Sequence, residues 1–479
     1  MEDVLPPNRP GRRGSALSKS TRRIALLVVL ALPSQALTQQ SNAHPISLSA
    51  VVQDAEKNYP SIRISQEELN ATAANLALVR TAYLPALDGM AQFNRGTRNN
   101  VFGSLLPQSV IPSISGPVLG TNNGGSVWGS ATGLLINWQP FDFGLRRANV
   151  HAAEAARDRA IAGIQRTRLE VQAASADAFL TVLASQSARL AAQAAIDNWE
   201  TLRTTVHALV VNELRPGADE ARIEAEKAAV VTQFALANQA TATSEATLHK
   251  FLSVSGPSTL TPGKLLTDMP AMADADTPLI AAGNPAVMEQ RAAVQQNAAQ
   301  LQAIQRTWVP QFNLEGAAYA RGTGAETNGL RLSGADGLAP NVVNYVAGVN
   351  ITFPFLGFAS AHARQAAEAA NLQAAKSGEE LVVKNLQEQF EQAKAALRAD
   401  QQIAQNTPIQ LRAAQTSLNQ ATARYKAGLA PIDDVAQAQR LLVQAQMDDS
   451  IARLNVWRAF LRVSYIRGDL LPFLQEVNR

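Results

Sequence analysis

Two periodicities alternate along the chain, and the order in which they alternate occurs twice. From Leu48 to Tyr83 apolar residues recur at helical spacing, broken by a turn at Pro60, among the good helix formers Ala, Leu, Glu and Gln. Pro85 stops that pattern and a period of two follows. Leu87, Gly89, Ala91 and Phe93 fall on one side, Asp88, Gln92 and Asn94 on the other, which predicts a strand. A Gly/Ser/Asn/Pro loop from Thr97 to Ser126 separates it from a second strand, Val127 to Phe141. Leu145 to Val211 then contains no proline and only Gly163, so it reads as one helix. Later, Phe312, Leu314, Gly316 and Ala318 alternate again, and a loop runs from Gly322 to Asn341. Val343, Tyr345, Ala347, Val349, Ile351 and Phe353 then line one face of a fourth strand. Ala359 to Tyr425 is interrupted only by Gly378 and Pro408. At 1.5 Å per residue each long helix extends about 100 Å, more than a globular core requires. Val383, Leu386, Phe390, Ala393 and Leu397 step by 3-4-3-4, a coiled-coil seam, and Met447, Ile451, Leu454 and Leu461 are expected to answer it from the returning helix.

The recurrence is an internal duplication. Pro60 and Pro85 are 25 residues apart, as are Pro285 and Pro310. Pro140-Phe141 before Ala152-Ala-Glu154-Ala-Ala156 matches Pro354-Phe355 before Ala366-Ala-Glu368-Ala-Ala370 at an offset of 214, which Asp219 and Asp433 keep. The expected organisation is an export signal at 1–36, a first repeat at 37–256, a linker at 257–283 and a second repeat at 284–479. Within the first repeat lie a strand hairpin at 86–141, a long helix at 145–211, a tip at 212–219 and a return helix at 220–252. The second has the hairpin at 311–355, the long helix at 359–425, the tip at 426–433 and the return helix at 434–466. Gly at the end of each long helix and Asp at the restart are the expected caps of both tips.

An apolar face opposite a polar one fits either a soluble sandwich hairpin or an outer-membrane strand pair whose barrel other protomers complete. The length of the helices decides for the second. Trp128, Trp138, Phe141, Phe353 and Phe355 then stand near strand ends, where interfacial aromatics belong. Residues 1–23 are polar and basic and Ile24 to Leu32 is a short apolar run, the order of a secretory signal and too short to cross a bilayer as a helix. That leader holds six of the 42 basic and two of the 39 acidic residues. The remainder is almost neutral, which gives no electrostatic case for a nucleic-acid partner. There is no cysteine, hence no disulfide, thiolate metal site or lipid-modified cysteine. The five histidines, at 44, 151, 207, 249 and 362, have no paired ligand spacing, and neither a nucleophile elbow nor a phosphate-cradling loop occurs. No cofactor and no enzymatic activity are expected.

The tandem copies, the Leu84-Pro85 and Val309-Pro310 elements before each first strand, Trp138-Gln-Pro-Phe-Asp-Phe-Gly144 leading into the long helix, and Tyr425-Lys-Ala-Gly428-Leu429 at a tip resemble the TolC family of outer-membrane efflux proteins. The resemblance covers nearly all of the chain beyond the leader. It implies an α+β membrane protein: a homotrimer with one twelve-stranded outer-membrane β-barrel, four strands per protomer, continued by an α-helical coiled-coil barrel across the periplasm of a Gram-negative bacterium. It also implies outer-membrane lipid around the barrel, and a periplasmic adaptor protein and an inner-membrane pump as partners. By that likeness Asp434 matches an acidic constriction position, Glu220 is its counterpart in the first copy, and Gln437 stands where a second acid is usual. Asp219 and Asp433 adjoin them, and Arg215, Pro216, Gly217, Gly428, Leu429 and Ala430 form the tips that would meet the adaptor. Three copies of one carboxylate near an axis repel each other and attract cations. The same four acids also sit in first helical turns, where acids stabilise the helix dipole by about 0.3–1 kcal/mol. Both readings stay open in the sequence. So does the cargo, whether drug, metal or protein. The competing architecture is a periplasmic coiled-coil scaffold without a pore.

Overall fold

The computed structural model describes residues 45–97, 105, 108–111, 125–253, 259–271, 278–326 and 330–479. The expected export signal at 1–36 lies outside them, as do most of the loop between 97 and 126 and parts of the linker.

Ser47 caps α1 (Leu48–Asn58) by accepting from the Ala50 N–H at 3.3 Å. Tyr59 is extended, and Pro60 opens α2 (Pro60–Thr81), a position where its missing N–H costs nothing. Strands β1 (Ala86–Thr97) and β2 (Ser126–Phe141) follow, then α3 (Leu145–Val211) and α4 (Gly217–His249). The second copy supplies α5 (Pro285–Ile304), β3 (Gln311–Thr323), β4 (Val342–Thr352), α6 (Gly357–Lys426) and α7 (Ile432–Arg467); α8 (Leu471–Asn478) closes the chain. Asn284 joins the end of the second copy to its beginning. Its Oδ1 caps α5 through the Ala286 N–H at 2.8 Å, and its Nδ2 donates to the carbonyl of Ile466 near the end of α7 at 2.8 Å. Pro408 lies inside α6, and the helix runs on through it.

The four strands form one antiparallel sheet in the order β1-β2-β3-β4, leaving β1 and β4 as edges of the protomer. Leu87, Phe93, Leu134, Leu314, Val343, Tyr345, Val349 and Ile351 share one face, and all are exposed. The opposite face departs from the expected polar lining. Ala131, Leu135, Ala317 and Tyr319 are buried there beneath Leu105, Val110 and Ile111 of the β1–β2 connection, themselves only 6, 9 and 3% exposed. Gln108 shapes that connection by accepting from the Val110 and Ile111 N–H groups at 2.7 and 2.8 Å and donating to the Ile111 carbonyl.

Where the sheet hands over to α3, Pro140 interrupts the β2–β3 ladder between Trp138 and Phe141. Phe143 and Gly144 then take left-handed conformations, with φ of 49° and 86°. Asp142 fixes the turn by accepting from the Gly144 N–H at 3.1 Å, the Arg146 N–H at 2.6 Å and Arg146 Nε at 2.9 Å. Burial pushes the Asp142 carboxyl up, but these bonds more than offset it, and its pKa ends below the ordinary carboxylate range. Arg146 Nη1 reaches on to the carbonyl of Ala82, tying the end of α2 to the start of α3.

The helices pack side by side: α3 along α2, α4, α5 and α7, and α6 along α5 and α7. Near mid-length, α1, α3, α7 and α8 meet in the largest core, built on Leu48, Val51, Phe179, Leu180, Trp457 and Phe473. Trp457 Nε1 donates to the Asp268 carbonyl at 3.0 Å. The α6 seam does contain Leu386, Phe390, Ala393 and Leu397, but it is answered by Ala452, Val456, Ala459, Val463 and Ile466. The expected partners Leu454 and Leu461 face α3 instead. Helix α7 is sandwiched between α3 and α6 and carries apolar residues on both sides.

Candidate functional site at the hairpin tips and barrel rims

Both tips close by the same backbone device. At the second, Gly428 has φ of 78° and the Leu429 N–H donates back to the Arg424 carbonyl at 2.8 Å. At the first, the left-handed position belongs to Glu213, φ 57°, and the Leu214 N–H donates to the Leu209 carbonyl at 2.9 Å. Gly217 is therefore not a terminating cap but the first residue of α4. The expected aspartate caps are corrected as well: Pro216 and Pro431 occupy the cap positions, and no side chain bonds there. Asp219, Glu220, Asp433 and Asp434 remain in the first turns.

These acids divide according to what they touch. Asp219 accepts from the Tyr425 hydroxyl at 2.8 Å, joining the start of α4 to the end of α6. Burial and the bond to Asp219 both raise the tyrosine pKa, so it stays a neutral donor. Arg215 lies over the Tyr425 ring, 4.3 Å from its centroid, and donates to the Tyr425 carbonyl. Asp433 pairs with Arg222 at 3.2 Å. Arg222 also stands 3.7 Å from Glu226, which takes Arg440 of α7 at 2.6 Å, so a ladder of alternating charge crosses from one hairpin to the other. Glu220 turns inward to its own hairpin and accepts from His207 Nδ1 at 2.7 Å. Asp434 and Gln437 are exposed on α7 and make no hydrogen bond or ion pair among the described residues. Beneath the polar contacts, Trp199, Val206, Ile223, Tyr425, Ile432 and Val435 form an apolar cluster drawn from both hairpins.

The large apolar side chains at the tips are Val211, Leu214 and Leu429, all well exposed, with Pro216, Gly217 and Gly428 exposed beside them and Arg215 half-buried. Ala430 is 7% exposed and belongs to the packing of its own turn. Sequence reasoning missed Tyr425, Arg222, Glu226 and Arg440 as contacts between hairpins. Tyr425 was visible only as part of a tip motif, and its partner lies 206 residues away.

At the rims, Trp128 lies under Arg95, 5.0 Å from guanidinium to ring centroid, beside the loops that join the strands. Ten residues along β2, Trp138 Nε1 donates to the Tyr83 carbonyl at 3.2 Å. That spacing is about 33 Å along a strand, or about 25 Å of height at the tilt of an outer-membrane barrel. Phe141 joins Phe143 and Phe312 in an aromatic cluster, and Phe353 stacks on Phe355 at 5.9 Å.

An all-antiparallel, lipid-compatible sheet continued by hairpins of about 100 Å is the form of a channel that spans the outer membrane and a stretch of periplasm. The family model for outer membrane efflux proteins matches residues 51–253 and 278–468, and the chain belongs to that family. It is accordingly an outer-membrane exit duct of efflux systems, reaching into the periplasm, and not an enzyme. No curated protein matches the chain in sequence. Solved structures share the fold at low identity. The outer membrane protein VceC from Vibrio cholerae aligns with TM-score 0.69 and 17% identity, covering 88% of this chain and 96% of that one. The Campylobacter jejuni CmeC outer membrane channel gives 0.70 and 14%, over 88% and 85%. The open state of the Neisseria gonorrhoeae MtrE channel gives 0.68 and 19%, over 88% and 89%.

Proposed function

We propose that three copies of the chain close one continuous duct, docked at its tips to a periplasmic adaptor and fed by an inner-membrane pump, with Asp434 of the second tip at its constriction. The observation that carries this reading is the pair of sheet edges. Among the described residues β1 pairs only with β2 and β4 only with β3, and four strands cannot close a barrel. Exposed apolar residues run along the same two sides: Ile64 and Leu78 of α2 and Leu236 of α4 on one, Leu381, Ile403 and Ile409 of α6 on the other. A head-to-tail contact repeated three times would cover both.

Trp128, Trp138, Phe141, Phe353 and Phe355 would border the lipid-facing band. Val211, Leu214, Arg215, Pro216, Gly217, Gly428 and Leu429 would present the adaptor surface, with Ala430 contributing through the shape of its turn. Asp434, repeated three times with Gln437 one turn below, would form a cation-attracting constriction. Asp219 and Asp433 would act differently, as acceptors that hold the two hairpins together, and Glu220 would brace its own hairpin. The duct itself would be passive, with the pump supplying direction and energy.

The test is single-channel conductance of the detergent-purified protein in planar bilayers, beside Asp434→Ala. A stable pore whose conductance rises on substitution is expected. An unchanged conductance removes the acidic constriction and leaves the duct. A protein soluble without detergent that never conducts overturns the duct and restores the scaffold.

A further inference from the structure

The junction of sheet and helices carries a basic groove that conduction does not require. Arg147 and His151 stand one turn apart on α3, and Arg306 with Gln302 and Gln305, at and just beyond the end of α5, forms the facing wall. With Gly144 and Ala148 they line an open groove of about 460 Å³, and no carboxylate is among the lining residues. Arg306 Nη1 donates to the Phe143 carbonyl at 2.8 Å, which seats its guanidinium against the strand-to-helix turn. Among the described residues Arg147 and His151 have neither a hydrogen-bonded nor an ionic side-chain partner.

The placement of Arg147 is unfavourable for folding alone. Positive charge in the first turn of a helix opposes the macrodipole, and α3 begins Leu145-Arg146-Arg147 with no acid in that turn. Arg146 is neutralised by Asp142 at 2.9 Å, whereas Arg147 is not. The second copy starts its long helix differently, at Gly357, and carries Ser360 and Ala361 at the positions 214 residues on from the two arginines, so neither arginine is needed to start a long helix after a strand hairpin. An anion from outside the chain would resolve the conflict.

The surroundings say which anion. The groove adjoins the cluster of Phe141, Phe143 and Phe312, whose ring centroids lie 4.6 to 6.2 Å apart. Phe312 ends the exposed apolar face that continues through Leu314 and Ala318. Arginine is the side chain best matched to phosphate, offering two parallel N–H donors. We propose that this groove binds the phosphate of a phospholipid from the adjoining membrane leaflet. Arg147 and Arg306 hold the phosphate oxygens, His151 and the glutamines complete the donors, and the aromatic cluster lies along the start of an acyl chain. The site rests on the lipid-facing reading of the sheet.

Native mass spectrometry of the detergent-purified protein titrated with phosphatidylglycerol tests it. The comparison is wild type, the double variant Arg147→Gln/Arg306→Gln, and Arg157→Gln, which removes an exposed arginine paired with Asp158 farther along α3. Wild type and Arg157→Gln are expected to retain the lipid alike, and the double variant to bind at least about tenfold more weakly. Diacylglycerol, which lacks the phosphate, is expected not to be retained. Equal retention by wild type and the double variant overturns the proposal, as does binding of inorganic phosphate as tight as that of the lipid, which would mark a plain anion site. Arg147→Lys/Arg306→Lys keeps the charge without the planar fork and provides the comparison if the glutamine variant does not assemble. Conductance is read for every variant: lost lipid with intact pores bears on the groove alone, and lost pores bear on the duct.

Discussion

The contact between Tyr425 and Asp219 is the most informative single bond at the tips, because it joins the two copies through a neutral donor and a carboxylate. A hydrogen bond to a charged group contributes about 1.5–3 kcal/mol. Tyr425→Phe removes it while keeping the ring under Arg215, and is expected to raise the frequency of open events in planar-bilayer recordings by about tenfold or more. Glu200 offers a pH test within the α3–α4 hairpin. Bonds from Arg203 and Lys227, at 2.7 and 2.5 Å, depress its pKa from 4.5 to about 2. A depressed carboxylate stabilises the fold above its unfolded pKa and loses that effect as pH falls through the folded one. Thermal melts of wild type and Glu200→Gln should therefore differ by a constant amount above pH 4.5 and converge as pH approaches 2.

Among the elements, the β1–β2 connection departs furthest from expectation. Its aliphatic residues cover the face of the sheet that the alternation assigned to water, and Ala131 is buried under them. The absence of native cysteine makes this easy to probe. An Ala131→Cys reporter is expected to resist aqueous maleimide, and to label several-fold faster when Val110→Ser and Ile111→Ser are added, since each swap removes about 1–3 kcal/mol of apolar burial. Unchanged labelling would mean the connection is held by something other than those two side chains. The long helices, in contrast, were legible at once: a stretch as long as Leu145 to Val211 without proline allows little else. Their partners were not, because α7 has two apolar faces and the pattern of large residues pointed to the wrong one.

For the whole molecule, the proposed barrel requires the exposed apolar face to meet lipid and the opposite face not to. Leu134 lies on the exposed face of β2 between Trp128 and Trp138. Leu134→Arg is expected to cost about 2–4 kcal/mol per protomer if that site lies near the bilayer midplane. Asn350→Arg, on the other face of β4, is expected to be tolerated. The proportion of heat-modifiable oligomer on semi-native gels after folding into lipid vesicles measures both. Equal losses would show that the two faces have been assigned the wrong environments.

The sequence by itself determined the duplication, the order of helix and strand, the apolar sheet face and the reversals of the long helices. Each is written in local periodicity or in a proline or glycine whose backbone limits act within a few residues. It also determined that acids stand in the first turn after each tip. Only the tertiary structure decided that Asp219 meets Tyr425, that Asp433 meets Arg222, that Glu220 folds back onto His207, and that Ala430 is hidden while Leu429 is not. The contacts of Asp219 and Asp433 join residues more than 200 positions apart and depend on how two hairpins are set side by side. That setting is fixed by the summed packing of Trp199, Val206, Ile223, Tyr425 and Val435 rather than by any one of them.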